Sequence, residues 1–189
     1  MRKTVNIIII IILMGGVYAC TVLRSPHYVG VIQNPLKLDE DLQRFSTWQY
    51  EGSVYQVHVV DSTSIIACTM NWDKTKKEYT TKCFPLLITS LDDKYFLNLE
   101  EEDSLYTLFR VSGTSEDDGT IVFVTADNKF LDKQIAAGDS PLSKSGENTY
   151  IFNTSKEEMD QFIQSHINDL FPFGTVGVIK PLAGYKGKP

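Results

Sequence analysis

The chain has 189 residues, 42% of them hydrophobic and 22% charged, with a net charge of −6. That length is enough for one domain with a full core. The acidic balance argues against nucleic acid as a partner, because affinity for phosphate comes from lysine and arginine.

Arg2 and Lys3 open the chain, and Val5 to Met14 is an isoleucine-dominated run broken only by Asn6. Gly15-Gly16 interrupts it before Val17-Tyr18-Ala19-Cys20. A basic start, an apolar middle and small residues before a cut point predict an export signal over residues 1–19. A cysteine directly after the cut resembles the lipobox of bacterial lipoproteins. The resemblance implies cleavage between Ala19 and Cys20, a diacylglycerol on the Cys20 thiol, and often a further acyl chain such as palmitate on the new amine. Two or more chains anchor stably where one is marginal. The expected address is therefore extracytoplasmic, on the cell membrane or outer membrane. The outer membrane is favoured because Thr21 is not the aspartate that the resemblance ties to inner-membrane retention. The rival is an uncleaved span, which needs about 20 apolar residues; Val5 to Ala19 supplies 15. Cleavage would also remove Arg2 and Lys3, taking the net charge from −6 to −8.

Residues 20–45 read as lipidated cysteine and tether. Thr21 to Leu38 has Pro26, Gly30 and Pro35 with no clear periodicity, and Leu38 to Phe45 has room for one or two helical turns. Residues 46–182 read as a single β-rich domain. Trp48 and Tyr50 open it. Val54 to Val60 puts Tyr55, Val57 and Val59 on one face and Gln56 and His58 on the other. Ser64 to Trp72, Glu78 to Thr89, Tyr95 to Leu99, Leu105 to Val111 and Thr120 to Ala126 follow as strands. Asp61-Ser62-Thr63, Asp73 to Lys77, Asp92-Asp93-Lys94 and a loop ending in Asp118-Gly119 separate them. About six short strands at near-regular spacing predict an antiparallel meander, barrel or sandwich.

Asp127 to Ala137 has the spacing of a short helix, Ser140 to Asn148 that of a polar loop, and Tyr150 to Phe152 that of a strand. Ser155 with Glu158 makes a capping box. It starts a helix whose apolar face is Met159, Phe162, Ile163, Ile167 and Leu170, and Pro172 stops it. Phe173 to Leu182 adds a strand or packs as coil, and residues 183–189 form a flexible tail.

Cys68 and Cys83 lie in a compartment where disulfides persist. A hairpin centred between Thr75 and Lys76 pairs residues whose numbers add to 151, which sets the two cysteines face to face. A structural disulfide and two free thiols both remain open. They are not a C-x-x-C pair and no histidine stands at ligand spacing, so no metal site is expected. The acidic groups Asp39-Glu40-Asp41, Glu100 to Asp103, Glu116-Asp117-Asp118 and Glu157-Glu158 lack the regular spacing of a calcium loop and read as solvated surface. Of the histidines, His27 falls in the tether, His58 on the polar face of its strand, and His166 at the edge of an apolar helix face with a hydrogen-bonding partner expected. There is no G-x-S-x-G, no Cys–His pair, no H-E-x-x-H and no glycine-rich phosphate loop. The chain is expected not to be an enzyme and to need no cofactor.

Trp48-x-Tyr50, Tyr95-Phe96-Leu97-Asn98-Leu99, Leu105 to Val111, and Phe162-Ile163 with His166 in a late helix resemble a group of uncharacterised bacterial lipoproteins. That group implies a lipocalin-like barrel or half-barrel and no particular activity. Lipocalins proper carry Gly-x-Trp at the first strand, where this chain has Ser46-Thr47-Trp48. The resulting expectation is an antiparallel β-barrel or half-barrel with the 155–170 helix packed against it and filling its opening. It would be a lipid-anchored envelope module that binds a protein partner or a small apolar ligand. The alternatives are a hydrolase with a site assembled around His58, and a structural module whose barrel is packed solid.

Overall fold

The computed structural model describes residues 21–33, 47–50, 53–61, 63–101, 103–114, 120–138, 140–173 and 176–181. Ala19, Cys20, the 38–45 turns, Asp118-Gly119 and the 183–189 tail lie outside these residues.

Seven strands follow the alternation of the sequence: β3 (Thr47–Tyr50), β4 (Ser53–Val59), β5 (Ile65–Asp73), β6 (Glu78–Leu91), β7 (Lys94–Glu100), β8 (Tyr106–Thr114) and β9 (Ile121–Val124). Each pairs antiparallel with the next except β9, which reaches β12 (Val176–Pro181). Lys180 stands opposite Gln49 and Pro181 opposite Trp48, so β12 returns to β3 and the eight strands close. The structure is a closed antiparallel barrel, and the half-barrel alternative falls. Closure leaves no open edge at β3 or β9.

The first described segment is not a tether. β1 (Val22–Ser25) runs parallel to β11 (Thr149–Phe152) and antiparallel to the start of β8, while β2 (Val31–Ile32) pairs with the end of β6. Leu23, Ser25 and Val29 are buried. β8 can take β1 because its free edge is divided: Tyr106 and Thr107 pair with β1, and Arg110 to Thr114 with β9. Arg24 holds the junction by ion pairs to Glu101 and Asp103. Gly30, at φ +65°, passes so close to β6 that a Cβ there would lie 2.1 Å from the Ser90 carbonyl oxygen. The loop expected over 140–148 contains one more strand, β10 (Leu142–Lys144), which pairs with β11.

Two helices cover the outside of this wall. α1 (Asn128–Ala136) is capped by the Asp127 side chain accepting from the Phe130 amide. α2 (Lys156–Leu170) is capped by Ser155 accepting from the Glu158 amide, as the capping box predicts. Lys156 ties α2 to the β1–β2 loop by donating to the Tyr28 and Gly30 carbonyls at 2.8 and 2.6 Å. Met159, Ile163 and Leu170 of α2 and Leu131 of α1 pack on Leu23, Phe96, Leu108, Tyr150 and Phe152 of the sheet. These sheet residues face away from the barrel interior. The helix therefore packs against the sheet as expected but does not fill the barrel opening. At Phe96-Leu97 on β7 and Leu108-Phe109 on β8 both faces carry an apolar side chain, and the helices took the outer one.

Candidate ligand cavity

Alternation along each strand decides what the barrel encloses. On β4, Tyr55, Val57 and Val59 turn inward while Gln56 and His58 are exposed. On β7 and β8 the inward residues include Leu97, Leu99 and Phe109; on β9 they are Ile121 and Phe123. Trp48 from β3, Ile65 and Ala67 from β5, Phe84, Leu86 and Ile88 from β6, and Ile179 from β12 complete the lining. All eight strands contribute, and every lining residue is aliphatic or aromatic.

These side chains leave a cavity of about 230 Å³. That exceeds the ~150 Å³ apolar cavity known to stay dry and take up benzene, and falls below the ~300–1,000 Å³ typical of drug-sized sites. Water entering it would find almost no hydrogen-bonding partners, whereas a hydrocarbon would gain burial at about 25 cal/mol per Å². Trp48 and Tyr55, direct partners across β3 and β4, carry the polar tips of the lining. Such a site suits a compact apolar molecule.

The cavity's shape depends on one glycine. Gly177 stands opposite Phe123, and a Cβ there would lie 2.2 Å from the ring. The missing side chain lets the Phe123 ring lie over β12, where its edge meets Phe109 with centroids 5.2 Å apart.

The histidines are scattered. His58 projects from the outer wall opposite Ile66, away from the cavity. His27 is half-buried, its amide donating to Ser25 Oγ at 2.9 Å. His166 lies between Phe162 and Phe130, with ring centroids at 4.8 and 5.4 Å, where α2 departs from helical geometry. Its neighbours are aromatic rings in place of the expected hydrogen-bonding partner. Among the described residues no group of three or more His, Cys, Asp or Glu is placed to hold a metal, and no helix is long and apolar enough to cross a membrane. Cys68 and Cys83 face each other in the predicted register, their sulfurs 2.08 Å apart.

Hydrogen bonds from Lys144 and from the Tyr150 hydroxyl hold the Asp132 carboxyl below the usual carboxylate range, and burial pushes the Tyr150 phenol up. Arg110 is buried beneath the end of α2, with its Nη1 3.4 Å from the Ile167 carbonyl and 3.5 Å from that of Phe171; burial lowers its pKa. A cation there meets the negative end of the helix dipole.

Alternation split β4 into two faces without saying which one turns inward; residues 173–182 read as strand or coil, and neither their closing of the barrel nor the empty volume left a local signal in the sequence. No family model, curated protein or solved structure matches the chain.

Proposed function

We propose that this chain is a lipid-anchored envelope protein, non-enzymatic, whose barrel takes up a small apolar ligand. The observation that carries this reading is the half-open cavity inside the barrel, lined by aliphatic and aromatic groups from all eight strands. A purely structural barrel would fill that volume, since protein interiors pack to crystal-like density. A hydrolase at His58 gains no support, because the imidazole faces away from the lumen.

The anchor belongs to the same reading and rests on the sequence from Arg2 to Cys20. Thr21 is already buried, and the Val22 amide donates to the Asn148 carbonyl at 2.8 Å. Acylation of Cys20 would therefore leave no spacer before the folded body, which would rest directly on the cell membrane or outer membrane.

Native mass spectrometry of the protein extracted from its own membranes tests the ligand. A co-purifying small apolar molecule, lost when Ala67→Trp fills the lumen, is the expected result. No bound molecule, together with no uptake of N-phenyl-1-naphthylamine by the purified protein, overturns it. Metabolic labelling with palmitate tests the anchor separately: label on the wild type and none on Cys20→Ser is expected, and equal label on both overturns it.

A further inference from the structure

β5 and β6 outrun their neighbours. The last pairing of β4 with β5 is Tyr55 with Thr69, and β7 reaches β6 no further toward the turn than Leu86. Beyond these points the described pairings of the two strands are only with each other, through Asp73 and Glu78. A ribbon thus projects about 17 Å beyond the Cys68–Cys83 pair, at roughly 3.4 Å per residue.

Its two faces differ. Cys68 with Cys83, Met70 with Thr81, and Trp72 with Tyr79 are successive pairs on one face, continuous with the outside of the barrel. Met70, Trp72 and Tyr79 are 67%, 49% and 70% exposed. The Trp72 and Tyr79 rings meet edge to face, centroids 4.9 Å apart, so they form one aromatic surface. Directly beyond them the turn carries exposed Lys74, Lys76 and Lys77. That turn is ordered by Asp73, whose carboxylate accepts from the Thr75 and Lys76 amides at 2.8 and 3.1 Å. Lys76 has only a loose 3.9 Å pairing with Glu78. From Met70 to Cys83 four lysines stand against two acids, in a chain whose net charge is −6.

The ribbon tip therefore has a sign opposite to that of the protein as a whole. An anionic surface repels the body and attracts the tip. Tryptophan and tyrosine settle at the headgroup level of bilayers, and flanking lysines keep their ammonium groups among lipid phosphates while their stems cover apolar surface. Each lysine near such a surface strengthens attachment. We propose that the ribbon beyond Cys68–Cys83 docks on an anionic lipid bilayer, with Trp72, Tyr79 and Met70 in the interface and Lys74, Lys76 and Lys77 on the headgroups. The paired cysteines fix the base of the ribbon, so that docking orients the barrel. This inference depends neither on the cavity nor on acylation of Cys20.

The test is the position of Trp72 in the full chain bound to phosphatidylcholine vesicles with and without phosphatidylglycerol, the bilayers carrying brominated acyl chains. Trp48, the other tryptophan, is buried in the lumen, and Trp72→Phe supplies its emission for subtraction. The expected result is bromine quenching and a blue shift of Trp72 that require phosphatidylglycerol. Partitioning should weaken about fivefold for each of Lys74→Gln, Lys76→Gln and Lys77→Gln. Trp72 as open to aqueous acrylamide with vesicles as without them overturns the proposal. So does shielding that does not depend on phosphatidylglycerol. Shielding in lipid-free solution that rises with protein concentration assigns the face to a second copy. Shielding in native membranes but not in vesicles assigns it to a protein partner. Either result overturns the lipid assignment.

Discussion

Phe96 and Leu97 are consecutive on β7, yet they enter different cores: Phe96 lies beneath the helices and Leu97 lines the barrel cavity. The same wall thus separates a packed region that holds the fold from a partly empty one available to a ligand. Phe96→Ala should cost about 3–5 kcal/mol in urea unfolding, leaving the uptake of N-phenyl-1-naphthylamine by the remaining folded protein unchanged. Leu97→Trp places its extra volume in the lumen, so it should abolish uptake with a smaller loss of stability. Reversed effects would mean that the two cores are not independent.

Gly177 and Phe123 form a second such pair. Gly177→Ala forces the Phe123 ring from a position where a Cβ would stand 2.2 Å away. Overpacking of this kind costs about 1–3 kcal/mol. Phe123→Leu should remove most of that added cost, so the double variant should be less destabilised than the sum of the single changes. Additive losses would show that the ring had moved aside freely.

The strands from β3 to β9 were legible as β-branched and aromatic runs bounded by polar turns, with alternation plain in β4, and the β5–β6 register followed from turn position alone. Ser155 was legible as a cap for the same reason, since its partner Glu158 is three residues away. What failed was non-local. Leu23 and Val29 lie in a short segment with no usable period, and they are buried only because β8, β11 and α2 arrive from more than 75 residues along the chain. The placement of α2 failed differently. Its apolar stripe was visible, but Phe96-Leu97 and Leu108-Phe109 offer two apolar faces, and local pattern does not say which one a helix covers. The candidate site was legible only in part: the apolar face of Tyr55, Val57 and Val59 was visible, but which face turns inward, the closure by β12 and the unfilled volume are properties of the whole barrel.

Asn98 is fully buried at the joint between wall and loop. Its Oδ1 accepts the Val29 amide at 2.9 Å, and its Nδ2 donates to Thr89 Oγ1 at 2.9 Å and to the Leu87 carbonyl at 3.3 Å. Asn98→Ala leaves the Val29 amide without its acceptor, at about 1–3 kcal/mol for an orphaned buried group. Hydrogen exchange should show the Val29 and Gly30 amides opening first. Unchanged protection there would remove Asn98 as the clamp on this loop.

Acid should loosen the helical side, and with it the β4–β5 turn of the barrel, where hydrogen bonds from Thr63 and Ser64 hold Asp61 low. Asp132 is held low by Lys144 and Tyr150, and Glu158 by Thr154 and the Ser155 amide. A carboxylate lowered on folding contributes stability that is complete above its ordinary unfolded range and is lost as pH falls through its folded value. Stability measured by urea should thus decline below that range, and Asp132→Asn should flatten the decline. An identical acid limb in the variant would show that Asp132 does not contribute.

Cys68 and Cys83 close a loop of sequence separation 15 at the base of the projecting ribbon. In the chain-entropy account a cross-link of that span restricts the unfolded ensemble by about 3 kcal/mol. Beyond it the ribbon has two strands only, and isolated two-stranded hairpins are marginal in water. Two consequences separate here. Replacing both cysteines by alanine should lower global stability by about that amount in urea. It should also loosen the ribbon locally, so that backbone amides from Met70 to Thr81 exchange faster than those of β7 even under conditions where the barrel stays folded. A global loss with the ribbon still protected would mean that the Trp72–Tyr79 contact alone holds the tip, and the cysteines would then act on the unfolded chain only.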